Sequence, residues 1–144
     1  MGPLVSLLIL CALLGACSTL VEEKGLSLEC RGEECPSIEH VGSVMLAFSD
    51  RVPGFDMDTR MHVVWRDDAE VVASTGLLGF AYPWYDEVHV SSSCVLAHEL
   101  MHCWLDFSTG DPGAEHLDGG WPWTLGAELA VKDVCDQFRG ELEF

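Results

Sequence analysis

CVLAHELMHCWLDF, residues 94–107, is the stretch on which the fold of this chain turns. Leu, Ala, Glu and Met dominate it and it holds neither Pro nor Gly, so it predicts a helix. Ser91-Ser-Ser93 just before it offers an N-cap. The following 108–123 contains four Gly and two Pro and reads as a loop. Inside the helix stands His98-Glu99-Leu100-Met101-His102, an HExxH pattern. Residues i and i+4 share one helix face, so both imidazoles can face one small cation. Glu99 lies beside that face and can take a proton from a water held near the ion without being a ligand. A shuffled chain with six His would carry the pattern about 0.02 times, so spacing and context together point to metal chemistry.

Working outward, Glu87-Val-His-Val90 alternates and suits an exposed edge strand. Met61–Trp65, Val71–Ser74 and Leu77–Tyr82 are further strand candidates. Val41 to Phe48 is apolar and reads as a strand or a short helix, with a turn over Arg51–Phe55. On the C-terminal side, Leu125 to Phe138 predicts a second helix with an apolar side at Leu125, Leu129 and Val131–Val134. Strands followed by helix, loop and helix make an α+β chain: a small mixed or antiparallel sheet, an edge strand, the HExxH helix and a C-terminal helix.

On these residues the chain resembles the zincin metallopeptidases over roughly 87–118. In that family an active-site helix carries HExxH, and a neighbouring edge strand holds an extended peptide. The resemblance implies Zn2+ as cofactor, His98 and His102 as metal ligands and Glu99 as the catalytic base. A third protein ligand is required, leaving one position open. The metzincin spacing would need Gly at 105 and His or Asp at 108, where the chain has Leu105 and Ser108. His116, in a Gly/Pro-rich segment that can fold back, is the expected third ligand, and Gly110-Asp-Pro with this His resembles small bacterial HExxH proteins. Glu128 on the second helix is the alternative, by resemblance to gluzincins; Asp118 and Glu115 are lesser candidates.

Residues 1–16, MGPLVSLLILCALLGA, have no charged side chain and an apolar run of signal-peptide length. Leu14-Gly15-Ala16-Cys17 resembles the lipobox of bacterial lipoproteins, which implies a lipid anchor on Cys17 and a place in the bacterial cell envelope, at the outer membrane if Gram-negative. The domains expected are a signal peptide at 1–16, an acidic tether at 17–39 and a zincin-like metal-binding domain at 40–144. Cys30 and Cys35 can close a small loop, and Cys135 can pair with Cys103 or with Cys94.

Of the 144 residues, seven are Lys or Arg and 24 are Asp or Glu, a net charge of −17. Nucleic acid is excluded as a partner, because a phosphate backbone needs a basic footprint. The function expected is a zinc-dependent peptidase acting on a peptide or protein substrate; the alternative is a non-catalytic metal- or partner-binding surface lipoprotein on the same scaffold.

Overall fold

The computed structural model of the chain describes residues 19–23, 25–55, 60–67, 79–112 and 125–139. Among the described residues it is a mixed α+β arrangement with five strands and three α-helices. The strands are β1 (Thr19–Glu23), β2 (Leu26–Cys30), β3 (Met61–Trp65), β4 (Phe80–Tyr82) and β5 (Glu87–Val90), lying in the sheet order β1-β2-β3-β5-β4. The helices are α1 (Ile38–Arg51), α2 (Ser93–Thr109) and α3 (Leu125–Phe138), and a 3₁₀ turn spans Pro83–Tyr85. The outer pairs β1–β2 and β4–β5 are antiparallel; β2–β3 and β3–β5 are parallel. Parallel neighbours need a crossover, and α1 supplies it between β2 and β3.

Each strand divides its side chains between two faces. Leu28, Val63, Val88 and Val90 enter the core with the helices. Ser27, Glu29, His62, Glu87 and His89 alternate with them and take the opposite face. Helix α1 begins where Ser37 Oγ accepts the His40 backbone N–H at 3.2 Å, and it buries Val41, Val44 and Phe48 at helical spacing. Helices α1 and α2 pack on each other and on the sheet, α1 against β2 and α2 against β5 and β4; α3 packs on both. Among the described residues no helix is long and apolar enough to cross a membrane.

Two sequence expectations change here, and one left open between strand and helix is decided. The acidic segment 17–39, read as a tether, contributes β1 and β2 to the sheet. Its alternation Leu26, Leu28, Cys30 was masked by intervening Glu29, which the outer face accommodates in an ion pair with Arg31 at 2.6 Å. Glu87–Val90 is an interior strand, buried from Val88 to Val90, and the edge is β4. His89 mimicked a solvent position; it is buried because its ring stacks on Phe80 at 4.3 Å and Nε2 donates to Glu87 Oε1 at 2.6 Å. Val41–Phe48 is helical and extends from Ile38. The strand candidate Val71–Ser74 lies outside the described residues.

Among the described residues the disulfides are Cys30–Cys35 and Cys94–Cys135, leaving Cys103 as a thiol. The pairing of Cys94, not Cys103, with Cys135 joins the first turn of α2 to α3, their Cα atoms 4.4 Å apart. Closing a loop of this sequence separation removes about 4 kcal/mol of unfolded-state entropy in the chain-entropy account.

Candidate metal centre

Helix α2 opens with Ser92 as N-cap, its Oγ accepting Val95 N–H at 3.2 Å. It closes at Gly110, whose positive φ of 74° suits a residue without Cβ and whose N–H donates to Asp106 O at 2.7 Å. Between the caps, Leu96, Leu100, Met101 and Leu105 are buried. That leaves His98 and His102 half-buried on the adjoining face. Their Nε2 atoms stand 3.3 Å apart. Two donors about 2.05 Å from a tetrahedral ion lie roughly 3.3 Å from each other, so the pair fits zinc.

His102 is oriented from behind. Its Nδ1 donates to the Pro112 carbonyl at 2.7 Å, which fixes the tautomer and leaves the Nε2 lone pair on the His98 side. The chain turns at Gly110 and runs back along α2 to deliver that carbonyl.

Glu99 is buried, 5% exposed, on the side of α2 that meets the lead-in to β4. A Cβ at Gly79 would stand 3.1 Å from Glu99 Oε1 and 2.9 Å from His89 O, and would collide with Val95 Cγ1. Only glycine lets the backbone pass the carboxylate this closely. Burial pushes the Glu99 carboxyl up to about 8. The Cys103 thiol beside it is pushed up to about 12, first by burial and then by the Glu99, Asp86 and Asp106 carboxylates.

The expected site residues divide as follows. His98 and His102 are brought together, and Glu99 is buried on the side of α2 that meets the lead-in to β4. His116, with Glu115 and Asp118, lies outside the described residues. Glu128 is half-buried on α3; among the described residues no group of three His, Cys, Asp or Glu is gathered for an ion, so it does not join the histidine pair. His40 and His62 serve elsewhere. His40 Nε2 meets Ser93 Oγ at 2.8 Å, and His62 bridges Ser27 Oγ and Glu29 Oε2 at 2.6 and 3.3 Å.

Two contributors escape sequence reading. Pro112 acts through its carbonyl, which no side-chain pattern reports. Gly79 reads as a turn or bulge; its other meaning, close backbone approach, was the available signal. No protein-family model, no curated protein and no solved structure matches the chain.

Proposed function

We propose that the chain is a zinc-dependent metallopeptidase of zincin-like architecture, held at a bacterial cell envelope by lipid on Cys17. His98, His102 and His116 are its metal ligands and Glu99 is its general base. The observation that carries the reading is the convergence of two Nε2 atoms at 3.3 Å, with one ring tied by Nδ1 to the Pro112 carbonyl. That pairing of ligand and outer partner is what a histidine zinc site requires.

Zinc bound there supplies Lewis-acid chemistry, polarising a carbonyl and making a neighbouring water acidic near neutral pH. The chain's own groups do the remainder. When ionised, the buried Glu99 carboxyl accepts the proton of the attacking water and returns it to the departing amine nitrogen. The Glu99 side chain is 5% exposed, close to Gly79 and Val95. Among the described residues strand β4 is the sheet edge beside α2, and an extended peptide can pair with an edge strand of this kind.

The test is metal content and peptide hydrolysis of the purified chain. Wild type and Glu99→Gln are expected to bind one zinc, and only wild type to hydrolyse. His98→Ala with His102→Ala should bind none; stoichiometric zinc in that double variant overturns the assignment. For the anchor, Cys17→Ser should move the chain from detergent to aqueous phase; a wild type already in the aqueous phase refutes lipidation.

A further inference from the structure

The outer face of the sheet carries a second cluster of reactive side chains. Strands β2 and β3 run parallel with Ser27 opposite His62. Glu29, two residues after Ser27 on the same face, lies diagonal to the same ring. Ser27 Oγ and His62 Nδ1 are 2.6 Å apart, and His62 Nε2 and Glu29 Oε2 are 3.3 Å apart. Glu87 stands opposite His62 in the register of β3 and β5, but His89 Nε2 engages it at 2.6 Å.

The bonds assign the protons. Arg31 Nε donates to Glu29 Oε1 at 2.6 Å and holds that carboxyl below the usual carboxylate range. An ionised carboxylate only accepts, so His62 Nε2 carries the ring hydrogen. Nδ1 then has its lone pair towards Ser27, and the hydroxyl donates to it. Ser27 stands within a strand, where its hydroxyl neither caps a helix nor closes a turn. A serine bonded to an imidazole that a carboxylate orients is the arrangement that makes a hydroxyl nucleophilic.

The cluster opens on a cavity. Ser27 and His62 line a groove of about 740 Å3 at the end of the sheet where β1 finishes and β2 and β3 begin, while Glu29 holds the far nitrogen of the ring. A groove of this size accepts a small molecule. Its charged lining is of both signs, Arg60 with Glu22, Glu23 and Asp86, which suits an uncharged ligand. Arg60 is the cation this lining offers to an oxyanion.

We infer that Ser27, His62 and Glu29 form a serine esterase centre that hydrolyses uncharged carboxylic esters held in this groove. It lies on the face of the sheet turned away from α2 and does not depend on the histidine pair there. Ser27 Oγ adds to the ester carbonyl as its proton passes to His62 Nδ1, and the imidazolium faces the Glu29 carboxylate. The bond from carbonyl carbon to alcohol oxygen breaks, and the alcohol leaves with the proton from Nδ1. Water then attacks the acyl ester on Ser27, giving a proton to Nδ1, and the carboxylic acid departs as Ser27 Oγ takes that proton back. An ester is the class because an alcohol leaves an acyl centre with less proton assistance than an amine.

The experiment uses the full chain with excess chelator, so that zinc chemistry does not contribute. The probes are a fluorescent alkyl fluorophosphonate, which phosphonylates a nucleophilic serine with loss of fluoride, and p-nitrophenyl acetate. Wild type should take up the fluorophosphonate at Ser27, located by peptide mass, and should turn over the ester. Ser27→Ala should do neither. His62→Gln should slow labelling about 100-fold. Glu29→Gln should lower the limiting labelling rate about tenfold and leave the half-saturating probe concentration unchanged, because Glu29 positions the base and does not touch the probe. Ser43→Ala, at an exposed serine of α1, should label as wild type does. Urea unfolding checks that each variant is folded, and the labelled peptide of wild type decides the point whatever a variant does to the fold. A label on any other residue, a folded Ser27→Ala that still labels, or an unchanged rate in His62→Gln overturns the proposal. So does a wild type that fails to label or fails to turn over the ester.

Discussion

Gly79 and the Glu99 carboxylate are in near contact across the junction of β4 and α2: a Cβ on residue 79 would lie 3.1 Å from Glu99 Oε1. The same atom would lie 2.9 Å from His89 O and overlap Val95 Cγ1. Two of the three neighbours are a backbone oxygen and a helix side chain, neither of which yields cheaply. Gly79→Ala is therefore expected to destabilise the fold by about 1–3 kcal/mol, and Gly79→Val by more. Urea unfolding of the purified variants measures it; an unchanged midpoint in Gly79→Val would show that the strand does not pass the helix this closely.

Within the proposed centre, His116→Ala is expected to lower zinc affinity much more than Glu128→Ala. A third imidazole completes three neutral donors with one open position. Competition with a chelator ranks the variants. Loss of metal in Glu128→Ala with retention in His116→Ala would make the centre gluzincin-like instead.

Leu28 is 1% exposed at the centre of β2, in a segment whose composition suggested a tether. Leu28→Ala should cost about 2–5 kcal/mol, the range for emptying a core position. A tether residue would cost nothing, so the thermal midpoint of this one variant separates the two descriptions.

The cross-link between α2 and α3 makes a thiol-counting prediction. Under denaturing, non-reducing conditions Cys103 should be alkylated while Cys94 and Cys135 appear only as a linked peptide. Cys94→Ser with Cys135→Ser should lose about 2–4 kcal/mol. Alkylation of Cys94 would reassign the bridge.

His89 sets a pH dependence. Its Nε2 donates to Glu87, and its Nδ1 is a buried nitrogen with no partner among the described residues, so a second proton there would have no acceptor among them. Burial holds its pKa below the ordinary histidine value, outweighing the opposite pull of Glu87. The unfolded chain then binds the proton more readily than the folded one. The contribution is fully present above the ordinary value of about 6.5 and is lost as pH falls below it. Unfolding free energy measured at pH 7 and at pH 5 should fall more for wild type than for His89→Gln; equal falls would dismiss His89 as the source.

Both C-terminal helices and β3 were legible because their signals are local. Helix α2 combines strong formers with a Ser cap, α3 spans the predicted Leu125–Phe138, and Met61–Trp65 is a run of β-formers. The misread segments owe their state to partners distant in sequence. Glu29 belongs in a strand because Arg31 and His62 receive its charge, and His89 is interior because Phe80 covers it. At the site, His98, Glu99 and His102 follow from helical spacing alone. The Pro112 carbonyl and the bare backbone of Gly79 arrive from loop geometry, which side-chain patterns do not encode.

The start of β1 at Thr19 bears on reach. A flexible tether of 23 residues would let an anchored domain roam about 26 Å from its attachment point. With the sheet beginning two residues after Cys17, the extended chain between lipid and first strand spans only about 7 Å. A lipidated Cys17 would therefore dock the body against the bilayer, edge strand β1 first, instead of leashing it. Targets free in solution would have to come to the membrane surface, and proteins already embedded there would be favoured by proximity.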